Sequence, residues 1–179
     1  MNKFSVSAFL LFSSILGFFI YSGIFTSVHF KSTIDGPFYL IYQKQSSLAS
    51  NKDLLLKDMK ERLGQRSIDT STSFVLEFEK DRRYMVGFLL NRKTFNEVGG
   101  YSLGYEMAIF PVSEMYITEY PNLNFVSQIF ATLRIDAAFE SFSGNEMLVG
   151  PILKTYDNKL KILNYRYPTE NITRLQHLW

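Results

Sequence analysis

Hydrophobic positions recur along the chain with two periods, about 2 residues in some segments and about 3.6 residues in others. Phe74, Leu76 and Phe78 alternate with Val75, Glu77 and Glu79, which predicts a strand with one buried and one wet face. Between Leu55 and Leu63, apolar residues form a stripe at helical spacing, and Gly64 supplies a stop signal. The pattern therefore predicts both strands and helices.

The first half of the sequence predicts the order strand, helix, strand, strand. A strand at Phe38 to Gln43 precedes the helix that ends at Gly64, and Phe74 to Glu79 then forms a hairpin with Tyr84 to Leu90. Asn91 to Gly104 contains Gly99 and Gly100 and is predicted to be a loop or linker.

The second half predicts the same order again. Glu106 to Phe110 and Ser113 to Tyr120 are predicted to form a hairpin, followed by a helix from Phe125 that ends near Gly144. Val149 to Tyr156 and Lys159 to Tyr165 are predicted to pair as a second hairpin. Each unit alone has an unpaired sheet edge and an uncovered face, so we expect the two to join edge to edge. Both helices then lie on one face, beside a pseudo-twofold cleft.

The N-terminal segment is apolar and carries no charge from Phe4 to Val28. As one helix, at about 1.5 Å per residue, it would cover roughly 37 Å, enough to cross a hydrocarbon core of about 30 Å. This predicts an uncleaved transmembrane anchor in residues 1–30, a short polar neck, and one α+β domain in residues 31–179. A cleaved signal peptide is the alternative, although the stretch is longer than a usual signal-peptide core. The flanking charges do not decide the orientation.

The amino-acid composition excludes several kinds of catalytic and binding site. The absence of cysteine excludes thiol catalysis and thiolate metal sites. A net charge of +2 without a basic run gives no indication of direct nucleic-acid binding. The histidines are His29 and His177 alone, and no catalytic motif is present, so we expect no enzymatic activity, metal or cofactor.

Several short fragments carry a family resemblance over nearly the whole chain. They are Tyr21 to Ile24, Met85 to Gly87, Ile109 to Pro111, Tyr120 with Pro121, and Ala131, Thr132 and Arg134. In order and spacing, with the preceding anchor, they resemble the gyrase-inhibitor-like (GyrI-like) domain of the testis-expressed protein 264 family of membrane-anchored proteins.

The resemblance implies a single-pass protein of the endoplasmic-reticulum membrane with its domain in the cytosol. Such proteins act as adaptors or receptors in reticulophagy, a form of autophagy, and recruit the valosin-containing AAA ATPase in repair of DNA-protein crosslinks. In that family, autophagy modifiers read an aromatic-x-x-aliphatic motif in a long acidic tail. Here the strings of that form, Phe38 to Ile41, Tyr120 to Leu123 and Phe130 to Leu133, fall within predicted ordered elements. We therefore expect this sequence not to recruit autophagy modifiers by itself.

The resemblance also implies a ligand cleft, because bacterial proteins of this fold bind small, often cationic, molecules through aromatics and an acidic residue on a late strand. Asn164 occupies the corresponding position here, which favours a vestigial or protein-binding cleft. Asn171 begins a sequon that would carry a glycan only in a lumenal domain. The aromatic candidates for the cleft are Tyr42, Tyr105, Tyr116, Tyr120, Tyr156 and Tyr165.

Three functions remain open at this point. The leading hypothesis is an adaptor at the endoplasmic-reticulum membrane with protein partners. The alternative is a protein that binds a small molecule in the cleft between the repeats or, with less support, hydrolyses one there. The third is a secreted or lumenal domain behind a cleaved signal.

Overall fold

The structure, a computed structural model, describes residues 3–21, 26–46, 52–78, 83–99, 103–121, 125–143 and 151–169. The helices are α1 (Lys3–Tyr21), α2 (Lys52–Gly64), α3 (Arg92–Val98) and α4 (Phe125–Ser143). The strands are β1 (Lys31–Asp35), β2 (Phe38–Gln45), β3 (Thr72–Phe78), β4 (Arg83–Leu90), β5 (Glu106–Phe110), β6 (Ser113–Pro121), β7 (Ile152–Asp157) and β8 (Ile162–Pro168).

All eight strands form one antiparallel sheet in the order β1-β6-β8-β7-β3-β4-β2-β5. The order is symmetric about the central pair, β3 and β7, in which Val75 lies opposite Lys154. The two predicted strand-helix-strand-strand units are therefore confirmed as β2-α2-β3-β4 and β6-α4-β7-β8. Their junction is the β3–β7 ladder.

The outermost strands are exchanged between the two halves of the chain. Strand β1 pairs with β6, and β5 pairs with β2. The predicted hairpin of β5 with β6 is therefore wrong, because these consecutive strands lie near opposite ends of the sheet. Strand β1 lies in the segment predicted to be a polar neck. Its side chains are mostly exposed, so backbone pairing defines it without a hydrophobic alternation that the sequence could reveal.

The segment predicted to be a linker contains the short helix α3. The Asn91 side chain caps this helix by accepting a hydrogen bond of 2.8 Å from the Thr94 backbone N–H. Of its seven residues, Val98 is buried. Two turns are too short for a helical period to stand out in the sequence.

Both faces of the sheet are packed. Alternation along the strands places Phe88, Ser73 and Tyr156 on one face, since Ser73 lies opposite both of the others. Phe88 packs in a cluster with Met59 of α2, and Tyr156 packs against the cluster that contains α4 residues. Both helices therefore cover the same face.

The other face forms a cluster of its own. In it, Ala108 and Phe110 of β5 share one core with Met115 and Ile117 of β6. These strands are far apart in the strand order, so the sheet must curl into a half-barrel to bring them together.

Helix α1 corrects the prediction of a membrane anchor. It has 19 residues and ends at Tyr21, while residues 26–30 are not helical. At about 1.5 Å per residue it measures about 28 Å, shorter than the span expected from the charge-free stretch. In the part of the chain that the structure describes, no helix is long and apolar enough to cross a membrane. The predicted transmembrane helix is therefore wrong, and the single-pass location in the endoplasmic-reticulum membrane is withdrawn with it.

Candidate functional site

The central strands leave part of the helix-bearing face open. Helix α2 packs on β4 and helix α4 on β6, and residues such as Phe88 and Leu163 are buried. Val75 of β3 and Lys154 of β7 lie on the strands between the two helices and are only partly buried. We call this surface the central groove. Its residues are Val75 and Glu77 of β3, Lys154 and Tyr156 of β7, Tyr165 of β8, and Thr132 and Asp136 of α4.

An ion pair crosses the floor of the central groove. Lys154 Nζ lies 2.7 Å from Glu77 Oε2, with side chains that are 21% and 24% exposed. The same ammonium lies 5.2 Å from the centroid of the Tyr165 ring, within the range of a cation–π contact. A carboxylate and an aromatic face thus hold Lys154 in place.

The surroundings keep Lys154 protonated. Burial alone would lower its pKa, but the hydrogen bond and charge of Glu77, with further contributions from Tyr165 and Asp136, outweigh burial and raise the pKa. A protonated amine is a hydrogen-bond donor and a fixed positive charge. It is not a nucleophile or a base.

Helix α4 contributes the remaining polar groups. Thr132 Oγ1 and the Tyr165 hydroxyl lie 3.1 Å apart in a hydrogen bond. Burial raises the pKa of Tyr165, although Thr132 and Lys154 act against it. Desolvation, Glu77 and Glu140 raise the pKa of the Asp136 carboxyl, while Lys154 and a hydrogen bond with Tyr167 lower it. The groove can therefore offer ring faces, hydroxyl groups and charged hydrogen-bond partners to a ligand.

The predicted cleft residues divide between several places. Tyr165 and Tyr156 lie in the central groove, where Tyr156 is partly buried and Tyr165 forms part of the floor. Tyr120 lies on the same face but is completely buried beneath α4. Tyr116 also lies at the α4 end and packs on Phe142, with ring centroids 5.0 Å apart.

Three predicted residues lie away from the central groove. Asn164 is opposite Thr155 in the ladder and therefore on the other face, so its amide does not replace an acid in the groove. Tyr42 is also on that face, with its hydroxyl 3.4 Å from Glu106 Oε2, and burial with the Glu106 charge raises its pKa to about 12. Tyr105 packs at the edge of the α2 cluster. Asn171 lies outside the described residues.

Sequence analysis missed Glu77, Lys154, Thr132 and Asp136 as site residues. Alternation places Glu77 on the sheet face opposite to Phe74, Leu76 and Phe78. That face is packed by helices instead of being wet, and the alternation does not show which strand lies beside Glu77. The available signal is that Glu77 and Lys154 are charged residues on the two inner strands of the repeats. They become neighbours only through the β3–β7 pairing.

A second cavity, of about 290 Å³, lies beside α3 and the loop before β3. Two of its polar side chains already have partners within the protein. Asn91 caps α3, and Asp69 accepts a hydrogen bond of 2.9 Å from the Ser71 N–H. The central groove is the stronger candidate because its charged groups lie at the junction of the repeats.

No family model matches the chain, and no curated protein matches it. Among solved structures, SAV2435 bound to tetraphenylphosphonium is similar, with a TM-score of 0.51 and 9% identity over 83% of this chain and 98% of that chain. A Staphylococcus aureus MU50 protein named for transcription regulation gives a TM-score of 0.53 and 8% identity over 79% of this chain and 98% of its own. EcmrR in a complex with DNA gives a TM-score of 0.45 and 10% identity over 95% of this chain and 69% of its own.

At this identity the first two similarities establish the fold alone. None of the three concerns reticulophagy or another form of autophagy, and the assignment to those processes is withdrawn. The resemblance to the testis-expressed protein 264 family and the valosin-containing ATPase as a partner rest on the sequence fragments alone. Those two, like the expected lack of enzymatic activity, stay predictions.

Proposed function

We propose that this chain binds a small organic molecule in the central groove. The observation that carries the proposal is the cluster of Glu77, Lys154 and Tyr165 at the junction of the repeats. Charged groups are costly to place in a partly buried setting, and an apolar pair would serve the ladder equally well. Partly buried charges beside aromatic rings, in an open depression between packed layers, are typical of ligand sites.

The comparisons support the same proposal. One protein of this fold is solved with tetraphenylphosphonium, a small aromatic ligand. The small-molecule alternative therefore has more support than an adaptor at the endoplasmic reticulum. Fold similarity alone does not identify a ligand, so the proposal depends on the groove residues.

The proposed binding function can be tested with three aryl probes of similar shape. Tetraphenylphosphonium is positively charged, triphenylphosphine oxide is uncharged, and tetraphenylborate is negatively charged. We expect at least one to raise the thermal unfolding midpoint as its concentration increases, because a ligand of the folded state stabilises it by mass action. Isothermal titration calorimetry then gives the affinity and the stoichiometry.

A blocking variant locates the site. Val75→Trp fills the groove beside Lys154, and we expect it to abolish the ligand-induced shift. Ile109→Trp adds an indole at a half-exposed position on the edge strand β5 and serves as the matched control. Binding that survives Val75→Trp, or that is lost equally in both variants, would contradict a ligand site in the central groove.

A further inference from the structure

The Lys154 ammonium is held by the two kinds of group that would hold an organic cation. Lys154 Nζ contacts the Glu77 carboxylate at 2.7 Å and faces the Tyr165 ring at 5.2 Å. A carboxylate and an aromatic face are the groups that hold a cationic ligand. Both groups already contact the Lys154 ammonium.

A ligand cation would have to compete with Lys154 for Glu77. Displaced from this pair, the ammonium would remain in a setting where its side chain is only 21% exposed, without its carboxylate. Separating a partly buried ion pair leaves an uncompensated charge, which is strongly unfavourable. Direct approach of the two positive charges adds Coulomb repulsion.

An anionic ligand would be disfavoured for a different reason. Besides Glu77, the α4 residues Asp136 and Glu140 place carboxylates on this side of the groove, and both Glu77 and Glu140 contribute to the raised pKa of Asp136. An added negative charge would be repelled by these carboxylates. The carboxylates of Asp136 and Glu140 would attract a cation, so the exclusion of a cation depends on the direct contact between Lys154 and Glu77.

We propose that Lys154 is a specificity-determining residue that makes the central groove select uncharged aromatic molecules over organic cations. This inference rests on the proposed function and names its ligand class. An uncharged ligand leaves the Lys154–Glu77 pair intact. It stacks on the partly buried Tyr156 ring and accepts a hydrogen bond from the Lys154 ammonium.

Calorimetry with the three aryl probes and the full chain tests this. For the unchanged protein we expect triphenylphosphine oxide to bind at least tenfold more tightly than tetraphenylphosphonium. Lys154→Met keeps the aliphatic chain and removes the charge, so tetraphenylphosphonium should gain at least tenfold in affinity through the freed Glu77. The double variant Glu77→Gln with Lys154→Met should lose that gain.

Lys44→Met is the matched control. Lys44 pairs with Glu106 at 2.8 Å and its side chain is 28% exposed, so the change again removes the cation of a partly exposed ion pair. The pair lies on the other sheet face, at the Tyr42–Glu106 position of the ladder. We expect the affinities for all three probes to be unchanged in this variant.

The possible outcomes separate the two proposals. Equal binding of the cation and the uncharged probe, unaltered by Lys154→Met, would overturn the role of Lys154 while the binding function stands. Cation binding that appears in Lys154→Met and depends on Glu77, without binding of any probe by the unchanged protein, would support the role of Lys154 and contradict the binding function. Absence of binding in every variant would overturn both.

Discussion

The guanidinium of Arg166 joins strands that are distant in sequence. Its Nε donates a hydrogen bond of 2.9 Å to Asp35 Oδ2, and its Nη1 donates one of 2.8 Å to Thr155 Oγ1. Its Cζ lies 4.9 Å from the centroid of the Phe38 ring. These contacts hold the exposed edge strand β1 to β8, where few apolar side chains contribute.

We expect Arg166→Met to lower the free energy of unfolding by about 2–3 kcal/mol, since charge-assisted hydrogen bonds contribute about 1.5–3 kcal/mol. Urea denaturation followed by circular dichroism measures the change. Arg62→Met is the control, because Arg62 pairs with Asp58 on the exposed face of α2, where solvent screens the pair, and it should change the stability much less. Equal effects of the two substitutions would show that the Arg166 contacts do not hold β1.

Asp136 makes stability depend on pH. Its pKa is raised in the folded protein, so the folded state binds the proton more tightly than the unfolded state. The tighter proton binding stabilises the folded state at pH values below the ordinary aspartate pKa. This stabilisation is lost as the pH rises through the raised pKa that Asp136 has in the folded protein. We therefore expect Asp136→Asn to melt at a higher temperature than the unchanged protein at pH 7, with the difference vanishing near pH 3.

Differential scanning calorimetry across this pH range measures the effect of Asp136→Asn. Asp58→Asn is the control, because Asp58 forms an exposed pair with Arg62 and should give no gain at pH 7. A stability difference that does not change with pH would contradict the assignment to the Asp136 carboxyl.

At the residue scale, the sequence predicts what local alternation determines. The burial of Phe74, Leu76 and Phe78 follows from the period of two and is confirmed. The groove position of Asp136 could not be predicted, because it depends on which strands lie beneath α4. The sheet face on which Asn164 lies could not be predicted for the same reason, because the register of β8 with β7 determines it.

At the scale of elements, β4 and β2 approach each other closely at Gly87. A Cβ at this position would collide with the Ile41 carbonyl oxygen and lie 2.8 Å from Tyr42 Cα. We expect Gly87→Ala to destabilise the protein by about 1–3 kcal/mol or more, because a packed interior accommodates added atoms poorly. Chemical denaturation checks this.

Gly64→Ala is the matched substitution in α2. Nothing lies within 4 Å of an added Cβ there, and alanine favours the helix over glycine by up to about 1 kcal/mol. We expect this variant to be neutral or slightly more stable. A Gly87→Ala protein as stable as Gly64→Ala would show that the two strands separate easily.

Elements with local signals were predictable, and elements defined by distant partners were not. The α2 stripe and the β3–β4 and β7–β8 hairpins are confirmed, since their contacts lie within a few tens of residues. Strand β1 has a polar sequence and acquires its structure from β6. Helix α3 depends on one cap and one buried valine.

At the scale of the whole molecule, strand exchange makes each half incomplete without the other. The first half holds β1, which completes the second half, and the second half holds β5, which completes the first. We expect separate fragments of residues 26–99 and 100–179 to lack a cooperative melting transition, and their mixture to recover one. Far-UV circular dichroism during heating measures this, and a cooperative transition in either fragment alone would contradict it.

The two-repeat organisation was predictable because the same order of elements occurs twice in the hydrophobic pattern. The exchange was not, because β5 and β6 are separated by two residues and a short connection favours a hairpin. The charge-free N-terminal stretch led to a wrong prediction because the absence of charge alone does not make the helix Lys3–Tyr21 long and apolar enough to cross a membrane.

The pairing of Asp35 with Arg166 also affects how the chain can fold during its synthesis. These residues are 131 positions apart. At roughly 5–20 residues per second, Asp35 is added to the chain about 7–26 s before Arg166. Strand β1 lacks its ladder partner β6 until Ser113–Pro121 is made, and the edge of β2 lacks β5 until Glu106–Phe110 is made. The half of the sheet that contains β6, β7 and β8 cannot form until the last two strands appear, and that period is when chaperones have most to protect.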